Sequence, residues 1–518
     1  MRPAPDHRSA QLSTAAYSAL YPGGYLVAES GREPALPDDE LRGLVARWRD
    51  ARIGPYVVRY DDAWLSASAR TADAEILVLG TAMDLDRPAA SPQAVAADLA
   101  TALDASDAGF LDRLDALNGA HLIFARRGPR CFVVQDATGM EALCYDVAAP
   151  DFLAASHPSL IAAIRGYEFS ELGRLWLQDN PDPRAQRLKF WNGVYWFPGL
   201  TTAYAEVRAL TPNTRLDLAT RSVERFFPRE PVGLRDTAAI VDAVADPLRD
   251  ACAWVADRFP GAVDVSLSGG LDSRLTLAAS RDVAHSLRFF TYYFARHQGF
   301  ETDVEVAAGL TERLGLEHRA FPLSPGPALQ AHRAEWRRTF AGLGHPRLDF
   351  AWVEQFPRGH VHVRSNVLEA IRGFYLKHPS NKPDRFDPVK LSYVFRGPAG
   401  PEFVTEIEEF MALTRFSMDA KLDIHYTDLF YWEQRLGRWH GELVRRMKLS
   451  HPTYVIWNNR RVLTHMLARP LEDRSKARIV YALIDRLWPE VLDAPVFSGA
   501  RYVERPADAP LAEPPGIG

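Results

Sequence analysis

Lysine is scarce in this chain. Only Lys189, Lys377, Lys382, Lys390, Lys421, Lys448 and Lys476 occur among 61 basic residues in 518, so any chemistry that needs an ammonium group has few candidates. Cysteine is scarcer still: Cys131, Cys144 and Cys252 are an odd number with no C-x-x-C spacing, which predicts neither a disulfide framework nor a zinc knuckle and fits a reducing, cytoplasmic setting. No apolar run approaches the roughly 18 residues of a membrane span, and the N-terminal stretch lacks a continuous apolar core of the signal-peptide kind, so no membrane partner is expected. Excess positive charge is also missing. With 61 Lys+Arg against 66 Asp+Glu the formal charge is −5, which makes nucleic acid a poor partner because phosphate-backbone binding draws on a cationic surface.

What is present describes a globular protein of two or more domains: 47% of the residues are hydrophobic, 25% charged, and no internal repeat is visible. From about residue 55 to 225, short β-branched and aromatic runs such as Val57–Tyr60, Ile123–Phe124 and Phe132–Val134 are bounded by Gly, Pro and Asp, while residues 93–116 carry apolar positions at helical spacing. That half reads as a sheet-rich α+β domain. Two prolines and a glycine interrupt the pattern at 227–236, ahead of an amphipathic helical segment, so the spacing predicts a boundary near 230: one domain over 1–229, a second over 230–503 in which strands alternate with helices, and a Pro/Ala-rich disordered tail over 504–518.

The segment Gly261–Ser280 carries the chemistry. Val263, Val265 and Leu267 alternate as a buried strand, Ser268-Gly269-Gly270-Leu271-Asp272-Ser273 follows, and a helix-forming run begins. A strand-to-helix turn of this kind offers free backbone N–H groups and the positive end of the helix dipole to an anion. Its two glycines let the main chain approach phosphate oxygens, and Ser268 and Ser273 add hydroxyls. Asp272 is repelled by phosphate and is suited instead to hold a divalent cation that bridges to it.

Ser268–Ser273 at such a turn resembles the pyrophosphate-binding loop of the N-type ATP pyrophosphatases, and the whole chain resembles the asparagine synthetase family, including β-lactam synthetase and the lasso-peptide cyclases. The resemblance implies ATP and Mg²⁺ as cofactors and a nucleotide site made by Leu267, Ser268, Gly269, Gly270, Asp272 and Ser273, with Thr291 and Tyr292 on a second parallel strand starting at Arg288, and with Ser365 and Asn366 beyond. Aligning Gly373-Phe374-Tyr375 with the family's Gly-Tyr turn puts Glu369 where the family has an aspartate, implying Asp272 and Glu369 as the metal carboxylates. Thr302-Asp303-Val304-Glu305 has capping-box spacing and predicts the start of the next helix, with residues 314–323 as the turn and strand after it. Arg474-Ser475-Lys476 resembles the family's Arg-x-Lys turn, which makes Lys476 the candidate transition-state lysine. The aromatic, helical-period stretch from Asp428 to Glu442 supplies Glu433, Arg435, His440 or Glu442 to orient or deprotonate an amine, and Glu433 and Glu442 join Lys476 as catalytic candidates.

The N-terminal half resembles the family's class II glutaminase domain, an Ntn-type αββα sandwich, through Leu117–Phe124, Phe132–Gly139 and the region near 195. Glutaminase chemistry needs a cysteine whose own α-amine acts as base, directly after Met1. Position 2 is Arg2, so this domain reads as degenerate. The fold expected is therefore a degenerate glutaminase-like α+β domain followed by an α/β parallel-sheet ATP-pyrophosphatase domain with extra helices. The activity expected is a ligase that adenylates a carboxylate, releases pyrophosphate and forms an amide, acting on a small molecule or peptide bearing a carboxylate and an amine. An asparagine synthetase-type enzyme using free ammonia and a nucleotide-binding pseudoenzyme stand as alternatives. A second copy of the chain, forming a homodimer, is a further candidate partner.

Overall fold

The computed structural model describes residues 19–176, 182–183, 185, 196–293, 300–324, 326–377, 386–396, 403–498 and 501–503. The tail expected over 504–518 lies outside the described residues.

The first half is built from two six-stranded antiparallel sheets. In one, Tyr25–Glu29 pairs with both Tyr56–Tyr60 and Leu153–Ala155. In the other, His121–Arg127 lies between Ala74–Gly80 and Arg130–Gln135. The sheets face one another because alternate residues of each are large and apolar: Tyr25, Val27, Tyr56 and Val58 from the first meet Leu77, Leu79, Leu122, Phe124 and Val133 from the second in one buried cluster. The helical spacing over 93–116 resolves into two helices, Pro92–Ala105 and Asp107–Asp115, each opened by a serine side chain that accepts an N–H of its first turn. The longer one packs on the second sheet, and the helix Pro158–Arg165 packs on the first.

The last strand of this half ends at Arg225, and helix α1 (Thr237–Arg258) opens the second half. There, five strands form an all-parallel sheet: β1 (Val263–Ser266), β2 (Arg288–Tyr293), β3 (His318–Pro322), β4 (Val361–Val363) and β5 (Thr453–Tyr454), in the order β3-β2-β1-β4-β5. Helix α2 (Leu271–Ala279) follows β1, and α3 (Phe300–Arg313) follows β2 and packs on β2 and β3. Helix α3 starts at Phe300, so Thr302 lies inside its first turn rather than at the cap that the Thr302–Glu305 spacing predicted. The chain leaves β1 toward β2 and β3, then returns to the other side of β1 for β4. In an open parallel sheet, that reversal creates a crevice at the carboxyl ends of β1 and β4, where ligands bind. The remainder of the second half is mainly helical.

The two halves are stitched together by Asn458-Asn459-Arg460, all fully buried. Asn458 Nδ2 donates to Gly119 O (2.7 Å) and Asp136 Oδ1 (2.9 Å), while its Oδ1 accepts from Thr138 N (3.0 Å) and Oγ1 (2.8 Å). Arg460 Nε donates to Asn213 Oδ1, and its Nη2 donates to the carbonyls of Gln135 and Asp136. Each buried polar group has partners across the boundary, which is the condition for burying it at acceptable cost. An apolar cluster runs continuously through both halves.

Candidate functional site

The candidate site lies at the ends of β1 and β4. Strand β1 leads through buried Leu267 into the turn, and α2 begins at Leu271 with Gly270 as its N-cap. Gly270 has no side chain to accept a first-turn N–H, so that end of the helix is open to an external acceptor. The serines fix the turn from within. Ser268 N donates to Ser273 Oγ (3.0 Å), the two hydroxyls are 3.1 Å apart, and Gly270 N reaches Ser268 Oγ at 3.3 Å. Gly269 N donates to Asp303 Oδ1 (2.8 Å), a carboxylate from the first turn of α3. Burial pushes the Asp303 carboxyl upward, and the Gly269 N–H partly opposes that. A phosphate seated on this amide would have to displace Asp303. The sequence marked Asp303 only as part of a cap; the signal for its role is an acid in the first turn of the helix after β2.

Gly269 is also a point of close approach. The strand Val496–Ser498, paired with Arg501–Val503, crosses the turn: Phe497 N donates to Gly269 O (2.9 Å), and a Cβ on Gly269 would lie 2.7 Å from the Phe497 Cβ. A Cβ on Gly270 meets nothing nearer than 3.5 Å. Arg274, fully buried on α2, holds the base of this crossing strand through the carbonyls of Val491, Ala494 and Pro495.

Strand β2 contributes Thr291, whose hydroxyl donates to Leu267 O (2.7 Å) and sits 2.9 Å from His318 Nε2, tying the end of β1 to β3. Tyr292 packs edge-on against Trp352 at 4.7 Å. From the end of β4, Ser365 Oγ bonds the α2 hydroxyl Thr276 Oγ1 at 2.6 Å, and Asn366 Oδ1 is buried with no donor against it. Leu267, the Ser268–Ser273 turn, Thr291, Ser365 and Asn366 are thus brought together around the crevice.

The two carboxylates inferred as metal ligands also converge. Asp272 Oδ1 lies 3.1 Å and Glu369 Oε1 3.0 Å from one atom, Nη1 of Arg372. Asp272 is in the first turn of α2 and Glu369 in the turn after β4 (Leu368–Ile371), so the crevice has an acidic side contributed by both of its walls. Among the described residues, no group of three or more His, Cys, Asp or Glu is placed to hold a metal. Two hard carboxylate oxygens are nonetheless the donor set that Mg²⁺ takes when phosphate oxygens and water complete its shell, so the residues fit the ion.

The remaining candidates are elsewhere. Lys476 follows Leu471–Ser475, 47% exposed, with Nζ 2.8 Å from Glu472 in an i,i+4 pair. It is Arg474, two residues earlier, that turns inward, donating to Ile371 O (2.6 Å) and to buried Asp428 (2.9 Å). Glu433 is fully buried and bound by both terminal nitrogens of Arg225 from the first half, one at 2.8 Å, with Asn213 Nδ2 at 3.4 Å. Its carboxylate is committed to the junction between the halves. Glu442 pairs with Arg445 and lines a small cavity of about 40 Å³ at that junction, with Cys144, Ser159 and Arg438. The burial of Glu433 follows from residues 431–440 being π-helical, with helices Tyr426–Phe430 and Gly441–Met447 on either side. Wider turns rotate Glu433, Gln434 and His440 inward beside Trp432 and Leu436, whereas Trp439 is only partly covered. Burial holds the His440 imidazole down to about 3, with Arg364 adding repulsion. Arg435 stands apart: its guanidinium is caged by Trp439 (4.5 Å), Phe374 (5.5 Å) and Trp196 (5.8 Å), and Nε is buried with no acceptor.

Residues 243–339 match the asparagine synthase family model. That span contains β1, the Ser268–Ser273 turn, β2, α3 and β3, and the match supports ATP-dependent ligase chemistry for it. No curated protein matches the chain. Solved structures similar to it include NMN synthetase from Francisella tularensis (15% identity, 41% of this chain and 96% of that one, TM-score 0.20). Two others are glutamine-dependent NAD+ synthetase from Acinetobacter baumannii in complex with ADP (14%, 48% and 51%, 0.18) and glutamine phosphoribosylpyrophosphate amidotransferase from B. subtilis complexed with ADP and GMP (11%, 68% and 71%, 0.24). No helix among the described residues is long and apolar enough to cross a membrane.

Proposed function

We propose that the protein is an ATP-dependent carbon–nitrogen ligase that cleaves ATP between its α and β phosphates, transfers AMP to a substrate carboxylate and lets an amine displace it to form an amide. The observation that carries this reading is the open N-terminus of α2 at the β1–β4 crevice, with Asp272 and Glu369 on its two walls. The leaving pyrophosphate would sit on the backbone N–H groups at Gly270 and Leu271, where the helix dipole favours the charge it gains. Mg²⁺ held by Asp272 and Glu369 would neutralise phosphate charge. Asn366 Oδ1, lacking a donor, suits a ribose hydroxyl or the adenine amine.

Arg435 is the group best suited to take an anionic part of the substrate, because a caged guanidinium whose Nε has no acceptor among the described residues gains a hydrogen bond when a carboxylate arrives. The first half, read as a degenerate glutaminase-like domain, would then shape the cleft while the amine comes from the substrate itself, as in specialised-metabolite or modified-peptide biosynthesis. Lys476 and Glu433 carry no catalytic role in this reading.

The test is to follow ATP with candidate amino-carboxylate substrates. AMP plus pyrophosphate is expected, and ADP plus phosphate would contradict the reading. Dependence on added ammonium would move the assignment to an amidating enzyme, while ATP binding without turnover of any carboxylate would favour a nucleotide-binding scaffold.

A further inference from the structure

A cavity of about 760 Å³ opens between the two halves and shares no lining residue with the crevice at β1 and β4. That volume is typical of sites that hold small organic ligands. Small residues leave the space: Ala162 and Ala163 on helix Pro158–Arg165 of the first half, and Ala341 and Gly342 after helix Arg333–Phe340 of the second. Flat rings line it from both halves. Phe169 and Tyr204 are stacked at 5.2 Å and 19° from parallel, and Trp336 is held in place by its Nε1, which donates to Asp349 (3.0 Å). Tyr21, also in the lining, has φ +47°, which a bulky L-residue rarely adopts, and its Oη is buried with no hydrogen-bond partner among the described residues. A hydroxyl left so is one that a polar atom of a ligand can satisfy.

The charge of the lining has one sign. It includes Arg174, Arg333, Arg337 and Arg338 and no acid. Arg174 lies 3.7 Å from Glu168, and Arg338 is bound by Asp38 and Glu40. Arg333 and Arg337 are exposed and make no ion pair among the described residues. Four positions apart on one helix, they share a face and repel one another. Arg333 also stands in the first turn, where the helix dipole disfavours a cation, so its position works against the helix that carries it. An anion held by both guanidinium groups would relieve both conflicts. We propose that this cavity is a ligand site for a small organic anion with an aromatic body. The ring lies against the aromatic walls, and a carboxylate, sulfonate or phosphate group stays at the exposed arginines, whose planar forks match its oxygens. The site neither uses nor requires the residues assigned to ATP.

The experiment titrates the full chain with anilinonaphthalene sulfonate, an aromatic anion that fluoresces in apolar surroundings, and reads its affinity from the fluorescence. Wild-type protein is expected to bind it saturably, at least tenfold more tightly than the uncharged anilinonaphthalene, and to keep it when the α,β-methylene analogue of ATP is added with Mg²⁺. Joint substitution Arg333→Gln and Arg337→Gln should weaken binding at least tenfold without lowering the unfolding midpoint, since both side chains are exposed. Ala163→Phe, which fills the cavity, should weaken it by a similar factor. The comparison with the uncharged compound needs no variant and so tests the charge requirement on unaltered protein. Unchanged affinity in the arginine double variant, or equal affinity for the uncharged compound, would overturn the anion site even if Ala163→Phe weakens binding. Displacement by the ATP analogue, or no saturable binding by the wild type, would overturn it as well.

Discussion

The Ser268–Ser273 turn and the Tyr431–His440 stretch are both rich in groups that could do chemistry, and the structure treats them in opposite ways. The turn is made of small residues, its helix N-terminus is uncapped, and its charged neighbours face one crevice. The stretch buries Glu433, Gln434 and His440 completely and commits Glu433 to Arg225 across the junction of the halves. A glycine-rich turn between a strand and a helix has few structural explanations. An acid on an aromatic helix has several, and its partner can be two hundred residues away in sequence.

That difference can be broken experimentally, first where the expected effect is largest. Glu433→Gln removes one member of a buried pair and leaves Arg225 uncompensated, so stability should fall by about 3–5 kcal/mol in urea unfolding, with ATP binding retained by the folded fraction. Normal stability with lost turnover would make Glu433 catalytic and erase the contrast.

Acid should act on buried groups in both halves. His157, His362, His440 and His451 are fully buried with their imidazoles held well below 6.5, chiefly by burial, His440 at about 3. The unfolded chain binds these protons at higher pH than the folded one, so stability is full above about 6.5. It falls as pH drops toward 3, by up to about 1.4 kcal/mol per pH unit for each histidine that stays neutral in the fold. Asp349, pushed up to about 6 by burial, acts in the opposite sense: its protonated form favours the fold, so it removes stability as pH rises from about 4 to 6 and softens the acid slope. Unfolding midpoints between pH 4 and 7 that do not change would contradict this.

Smaller effects separate the two loop glycines. Gly269→Ala drives a methyl into the Phe497 Cβ and should cost about 1–3 kcal/mol and loosen the crossing strand, measured by thermal unfolding and by proteolysis of the C-terminal segment. Gly270→Ala meets only ordinary contacts and should change the midpoint little. Equal effects would mean that the crossing strand does not rest on Gly269. Least of all, Lys476→Met should leave both the unfolding midpoint and pyrophosphate release near wild type, because the side chain is half-exposed and, among the described residues, paired only with Glu472 along its own turn. Abolished turnover with retained ATP binding would restore Lys476 as the transition-state lysine.

The parts legible in the sequence were those with short-range causes. The β1–turn–α2 unit, the strand at Arg288, the strand within 314–323 and the paired strands around Phe124 and Val133 all follow from alternation and glycines. The capping-box spacing at Thr302 is not used as a cap, because the helix starts two residues earlier. The face of the Tyr431–His440 stretch could not be read from a 3.6-residue period, since π-helical turns shift which residues point inward. Likewise, nothing local marks Asn458-Asn459-Arg460 as the junction between halves, because their partners lie more than 200 residues earlier. Nor does anything local mark the contact of Arg372 with Asp272, a hundred residues upstream.

The central claim is that the crevice between β1 and β4 is a metal–ATP site whose acidic side includes Asp272. Calorimetric titration of wild-type protein and Asp272→Asn with the non-cleavable α,β-methylene ATP analogue and Mg²⁺ tests it most directly. Saturable binding that weakens at least tenfold in Asp272→Asn, with the unfolding midpoint unchanged, is predicted; equal binding by both proteins, or none by the wild type, would contradict it.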